Sequence, residues 1–466
     1  MSWFVSGREG PHLVVGFGIT GAAVAEALVR RGEAVVVVDD RPGDDAVARA
    51  TELGVELVAA PDRATLGRLV AGASEVLPAP GLPARHPVFE IAAAEGTPVA
   101  SEFDLAARWD DRPLLAITGT DGKTTVTMLT CAMLEASGLA AQAVGNTPVP
   151  LVAAIDDPTI DVFVVEASSF RLDHSRHFAP AVATWLNFAP DHLDNHRSLA
   201  EYEAAKARIW RDQRPDDVAI GNLDDPVVAR HLASAPARKV GFGLGTTAGG
   251  HGAAGRQLVG YRVADGALVD PGGETLARVG ELQRSFPHDL SNGLAAAATA
   301  LAGGATREGV RAALLAFSGL PHRVTLVGEA GGVPFYDDSK ATTPHAVLAA
   351  VEGFESVVLI CGGRNKGLDL SPLAEVAPRA RAVVAIGDAT ADVAAVFGPT
   401  GVPVRAAESM DDAVRLAAGA ARPGDAVLLS PGCASFDWYG SYGERGDDFA
   451  RAVQAHIGGI GGEGGP

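Results

Sequence analysis

Short apolar runs alternate with stretches of helical spacing along almost the whole chain, the pattern of stacked β-α units with mainly parallel sheets. HLVVGFG, EAVVVVDD, VELVAA, SEVLPAPG and TPVAS read as buried strands of a first unit that ends near Ser101. A second unit opens with LLAITGT, continues through DVFVVEASSF, AVATWLNFAPDHL and DVAIGNLDD, and closes with HDLSNGLAAAATALAGG. Inside it, the Gly/Ala/Thr-rich stretch from Gly245 to Gly255 reads as a loop before a hairpin at YRVADGALVD. A third unit follows FSGLPHR, with strands in VPFYDDS, SVVLICGG, AVVAIGD and AVLLSPG. The tail GGIGGEGGP reads as disordered.

Length agrees with this division, since 466 residues suggest roughly three domains. Hydrophobic residues make up 47% of the chain, enough to bury large cores. Charge or Gly/Pro interrupts every apolar run well before the ~20 residues that span a bilayer, so no membrane insertion is expected. MSWFVSGREGPHLVV lacks a basic start followed by an apolar run, and Cys131, Cys361 and Cys433 are few and far apart. Both features fit a cytoplasmic protein with reduced thiols. The formal charge of -19 argues against nucleic acid as a partner. It leaves anionic small molecules open, because a few focused cations outweigh a distant negative surface.

Two glycine-rich turns carry the first chemistry. GFGITG, Gly16 to Gly21, follows a strand and opens a helix, and VVVVDD ends in Asp39 and Asp40. Helix-start amides and the helix dipole attract a diphosphate of any kind, so this fingerprint does not choose NAD; the bland alternative is a tight turn with no ligand. TGTDGKTT also lies between a strand and a helix, but it is shorter than the common G-x-x-x-x-G-K-[ST] loop. Gly119 and Gly122 still let amides curl around phosphate, Lys123 reaches the β and γ phosphates, and Thr124 or Thr125 offers a hydroxyl to Mg²⁺. Asp121 is unexpected beside a triphosphate, and either faces a metal or caps the helix.

Other candidates are strand-end residues. Glu166 in EASSF and His192 in NFAPDHLDNH sit where parallel strands gather ligands, although lone residues there are most often solvated. Lys340 in DDSKAT, Lys366 in CGGRNKG and Ser435 in SPGCASFD are placed likewise. Lys206 lies in SLAEYEAAKARIW, and by pattern alone it is a solvated helix lysine.

Taken together, GTDGKTT, EASSFRL, DHLDNH, AAKARI, GLPHR, DDSKAT and SPGCASFD resemble the Mur ligase family, whose loop has the short form G-T-x-G-K-[ST]-[ST]. The resemblance spans nearly the whole chain, and DDSKAT points to the branch that uses D-glutamate. It implies an α/β fold of three domains: a Rossmann-like UDP-sugar domain at 1–102, a central P-loop ATPase-type domain of parallel sheet at 103–319, and a Rossmann-like amino-acid domain at 320–466. It implies cytoplasmic ATP-dependent joining of D-glutamate to UDP-N-acetylmuramoyl-L-alanine by a monomer in peptidoglycan precursor synthesis, with two Mg²⁺ ions.

By the same resemblance, Gly18, Ile19, Thr20, Gly21, Asp40, Arg41, Gly81 and Asn146 hold the UDP-sugar. Gly119, Thr120, Asp121, Gly122, Lys123, Thr124, Thr125, Asn292, Arg323 and Asp338 hold ATP. Thr342, Lys366, Ser435 and Phe436 receive D-glutamate. Thr124, Glu166, His192 and a carbamylated Lys206 serve the metals, with Lys123, His192, Lys206 and Lys340 in the catalytic group. Asp121, Ala79, Asp289 and Thr343 depart from the family's pattern, and Asp289 puts one adenosine contact in question. Two rival readings are a folylpolyglutamate-type ligase, which should lack the N-terminal diphosphate domain, and a nicotinamide-binding oxidoreductase or sensor, which leaves the Lys-Thr-Thr loop unexplained.

Overall fold

The computed structural model describes residues 8–191, 195–245, 250–251, 257–258 and 260–462. His192 and parts of the Gly245–Gly255 loop lie outside the described residues. Two compact units emerge: Met1–Phe188, Asn195–Leu282 and Ser291–Ala316 form one, and Ala189–Asp194, Gln283–Leu290 and Phe317–Pro466 the other. Three regions carry the main sheets, all of them parallel or largely so.

The N-terminal sheet has four parallel strands: Glu56–Ala59, Val35–Asp39, His12–Val15 and Glu75–Pro78, in that spatial order. TPVAS supplies a single parallel bridge, Val76 with Val99, and not a strand. Gly21, in the first turn of the helix Ile19–Arg30, lies directly against the Gly16 carbonyl, so a side chain there would collide with main chain. That close approach is why the turn after His12–Val15 needs glycine.

The central sheet is nine-stranded. Leu114–Thr118 lies inside it between Val182–Trp185 and Val162–Glu166, all three parallel. Their carboxyl ends therefore bring Gly119, Asn187 and Glu166 to one edge. Ala141–Gly145 and Arg238–Gly243 are strands that the apolar pattern did not reveal, because glycine, alanine and charge dilute them. The expected hairpin forms between Tyr261–Ala264 and Ala267–Val269, turning through Asp265 and Gly266 at positive φ. Phe163, Trp185 and Trp210 fill the core below, each fully or almost fully buried. Burying a side chain such as Phe163 contributes about 2–3 kcal/mol.

The second unit has a six-stranded sheet in the order Thr325–Ala330, Val333–Asp337, Ala426–Gly432, Val357–Gly362, Ala380–Ile386 and Val404–Ala406. Only the first pair is antiparallel. The disordered tail expected from GGIGGEGGP is corrected over its first residues: the last helix runs from Tyr442 to Gly462. Val453 and Ile457 pack it against Gly328 on the edge strand, where a side chain would take their space.

Candidate functional site

The phosphate-type loop begins where Leu114–Thr118 ends and closes where the helix Lys123–Glu135 begins. Gly122 is the N-cap at φ +83°, and a side chain on it would meet Asn292 Oδ1 at 2.7 Å. Asn292 thus lies against the loop. Asn187, which the sequence reading did not single out, shapes it: its Oδ1 accepts from the amides of Thr120 and Asp121, both at 2.9 Å. Lys123 curls back, donating to the carbonyls of Gly119 at 2.9 Å and Thr120 at 2.8 Å.

Lys206 is not the solvated lysine its helix pattern suggests. On the helix Leu199–Arg211 the buried face carries Tyr202, Ala205, Lys206, Ile209 and Trp210. Lys206 is 1% exposed; its Nζ donates to Gly119 O at 2.6 Å and lies 4.6 Å from the centre of the Tyr202 ring. The signal was present, since position 206 is four residues from both Tyr202 and Trp210.

Glu166 is 2% exposed. Its Oε1 accepts from Asn146 Nδ2 at 2.9 Å, while its Oε2 is buried with no hydrogen-bond partner among the described residues. A carboxylate oxygen so placed is costly unless a cation meets it. Glu166 with the hydroxyl of Thr124 therefore fits the donor set of Mg²⁺, which keeps few protein ligands and completes its shell with phosphate and water. Among the described residues no three His, Cys, Asp or Glu gather as a metal cluster.

Below the first glycine turn lies a cavity of about 420 Å³, lined by Gly18, Ile19, Thr20, Asp40 and Gly81 together with Arg171. Arg41 is exposed and outside that lining, Gly21 packs under the turn, and Asn146 is engaged with Glu166. Asp39 is used internally: its carboxylate accepts from the amides of Phe17 at 2.7 Å and Arg41 at 2.8 Å. Asp40 instead faces the cavity with His86 Nε2 at 3.2 Å. Arg171 is the residue sequence reasoning missed here. Burial pushes its guanidinium down to about 10, Glu102 pairs with it, and its Nη2 donates to Thr20 Oγ1 at 3.0 Å.

In the second unit, Lys340, Thr342, Lys366, Ser435 and Phe436 line one cavity of about 330 Å³, joined by Tyr442, which the sequence reading did not name. The loops come from the carboxyl ends of Val333–Asp337, Val357–Gly362 and Ala426–Gly432. Arg323 and Asp338 belong to this unit but do not line that cavity. Asp338 is wholly buried, and burial pushes its carboxyl up to about 7 although Ser430 Oγ donates to it at 2.7 Å. Arg323 sits between His322 and Val324, both at positive φ, and its carbonyl accepts from Arg284 at 2.9 Å. Arg284 also pairs with Asp289 at 3.1 Å, which accounts for an acid at that position. All three cysteines are buried; the thiols of Cys131 and Cys433 are pushed up to about 12 by burial, so they behave as small core groups.

Comparison with known proteins matches three successive family models: the Mur ligase MurD-like N-terminal domain over 11–101, the Mur ligase middle domain over 117–300, and the Mur ligase glutamate ligase domain over 322–433. A curated relative, the UDP-N-acetylmuramoylalanine--D-glutamate ligase of Frankia casuarinae, is 45% identical over 461 residues, covering 96% of this chain and 94% of its own. The chain belongs to the Mur ligase family. The enzyme of the same name from Desulfosudis oleivorans is 41% identical, covering 95% of each chain. Among solved structures, MurF from Acinetobacter baumannii superposes with a TM-score of 0.61 at 18% identity over 94% of this chain and 93% of that one. A pseudomurein peptide ligase type C from Methanothermus fervidus gives 0.58 at 18% identity over 96% and 100%. These two structures share the Mur ligase fold with the chain. Among the described residues no helix is long and apolar enough to cross a membrane.

Proposed function

We infer that this chain is an ATP-dependent ligase that adds D-glutamate to UDP-N-acetylmuramoyl-L-alanine in peptidoglycan precursor synthesis. Similarity along nearly its whole length to ligases of that name carries the reading. The alanyl carboxylate attacks the γ-phosphate, giving an acyl phosphate and ADP. The amine of D-glutamate then attacks the carbonyl, and phosphate leaves. Two anions must meet in the first step, so positioning and fixed positive charge do most of the catalytic task.

The proposed division of residues starts from the phosphate-type loop. Amides of Gly119 to Gly122 and the ammonium of Lys123 take the phosphates, with Thr120, Asp121, Thr125 and Asn292 around them. Arg323 and Asp338 take the adenosine side. Gly18, Ile19, Thr20, Asp40 and Gly81 hold the UDP end, a role we extend to Arg171 because it joins Thr20 in the same cavity. Arg41, Gly21 and Asn146 support that end less directly, from the rim, the packing below, and Glu166.

Magnesium, when bound, adds the positive charge that lets carboxylate and triphosphate approach. Thr124, Glu166 and His192 would hold it, with Lys206 as a carbamate. The Lys206 ammonium loses one proton to become the amine, and addition of carbon dioxide releases a second, so a cation is replaced by an anionic oxygen donor, the ligand type Mg²⁺ prefers. Lys340 faces the phosphoryl group, and Thr342, Lys366, Ser435 and Phe436 face D-glutamate. We further propose domain limits of 1–102, 103–319 and 320–466, two magnesium ions, and a cytoplasmic monomer.

ADP release tests the reading. With UDP-N-acetylmuramoyl-L-alanine and ATP, D-glutamate should drive release, while L-glutamate and L-lysine should not. Equal release with L-lysine would overturn the substrate assignment.

A further inference from the structure

We propose that Tyr442 and Phe436 are positioning residues whose ring faces hold the ammonium groups of Lys340 and Lys366 in place without cancelling their charge. The proposal rests on the reading of this cavity as the amino-acid pocket. Lys340 Nζ lies 3.7 Å from the centre of the Tyr442 ring, and Lys366 Nζ lies 5.1 Å from that of Phe436. All four side chains line the same cavity. Both rings are unusually open for their size, Tyr442 at 37% and Phe436 at 53% exposure. Among the described residues, neither lysine pairs with a carboxylate.

A pocket for anions meets a conflict that this arrangement resolves. A flexible lysine must be immobilised to act at a defined place, and the usual partner is a carboxylate. That partner would neutralise the charge and compete with the incoming carboxylate or phosphoryl group. An aromatic face attracts the cation through its quadrupole and leaves the outer donors free. Two like charges in one cavity also repel, and separate rings give each its own seat.

The main chain ties each ring to its lysine. Ser339, beside Lys340, donates its hydroxyl to the Tyr442 carbonyl at 2.8 Å. Arg445, 1% exposed, fixes that serine by donating to its hydroxyl at 2.9 Å and its carbonyl at 2.8 Å. The second pair is joined by reciprocal backbone bonds between Arg364 and Ala434, at 2.8 and 3.1 Å, which link the Lys366 loop to the Phe436 loop. Neither ring packs in the core, so their placement over the two lysines is not a by-product of core filling.

The test replaces Tyr442 with Phe, with mono-, di- and trifluorinated phenylalanine, and with Leu in the full chain, and does the same from Phe436 onward. Fluorination keeps the shape of the ring while draining its negative face. Tyr442→Phe should retain most activity. The fluorinated series at 442 should lower kcat stepwise to about tenfold at the end, with little change in the KM for D-glutamate. The series at 436 should raise that KM by a similar factor and spare kcat. Thermal unfolding midpoints should stay constant across each series. A flat series, or loss in Tyr442→Leu that fluorination does not reproduce, overturns the ring assignment. Failure of the unsubstituted chain to release ADP in response to D-glutamate would instead overturn the pocket's identity.

Discussion

In the first unit, the carbonyl of Gly119 accepts from both Lys123 and Lys206, whereas in the second unit Lys340 and Lys366 lie over exposed ring faces. One site is built from main chain and buried polar bonds, the other from side chains on three separate loops. A phosphate group looks the same in every nucleotide, so a loop of amides with glycine at fixed places serves it. An amino acid is distinguished by its side chain and handedness, which only side chains placed in three dimensions can read. The contrast predicts that damage in the first unit stops ATP use, while damage in the second alters the response to the amino acid.

The largest effect should come from Lys123→Ala, which removes the loop's cation. ADP formation should fall by about a thousandfold or more while the UDP-linked substrate still binds. Turnover at the level of the unsubstituted chain would contradict the phosphate assignment. Lys206→Ala comes next, with a loss of about a hundredfold or more, and added acetate should restore part of it by supplying a carboxylate in place of the proposed carbamate. Full activity without acetate would return Lys206 to a packing role. Lys366→Ala should act differently, raising the D-glutamate requirement about tenfold and leaving that for ATP nearly unchanged. Equal loss for both would break the comparison.

The smallest effect is on stability. Burial raises the Asp338 carboxyl to about 7, against 3.8 for the free group. Its favourable contribution is fully present below about pH 4 and is lost as pH rises towards 7, because the folded chain then holds a proton the unfolded chain has given up. Asp338→Asn cannot ionise, so its stability relative to the unsubstituted chain should rise across that window by up to about 1.4 kcal/mol per pH unit. Denaturant melts at pH 5, 6 and 7 measure the difference, and a constant gap would show that Asp338 is not held protonated.

Much of the site could be read before folding because its chemistry lies in contiguous motifs. GTDGKTT and GFGITG carry their own strand, turn and helix start, so the loop at Lys123 and the cavity at Thr20 form where the pattern places them. DDSKAT, GRNKG and CASFD were each visible as strand ends, and the sheet order then brings them to one cavity. What escaped notice acts across sequence distance. Asn187 shapes the phosphate loop from a neighbouring strand end, and Arg171 reaches Thr20 from the distant EASSFRL motif. Tyr442 sits at the start of the last helix, where no pattern announces a partner for Lys340. The strands Ala141–Gly145 and Val404–Ala406 were missed for a local reason, since short or glycine-containing runs gain their strand form only by pairing with neighbours.

The central claim is that ATP activates the substrate carboxylate as an acyl phosphate. Its most direct measurement uses UDP-N-acetylmuramoyl-L-alanine labelled with ¹⁸O in the alanyl carboxylate, with ATP, magnesium and D-glutamate. The carboxylate oxygen that attacks the γ-phosphate must depart with it when the amide forms. Mass analysis should therefore find one labelled oxygen in each inorganic phosphate released during ligation, and unlabelled phosphate accompanying amide formation would contradict the account.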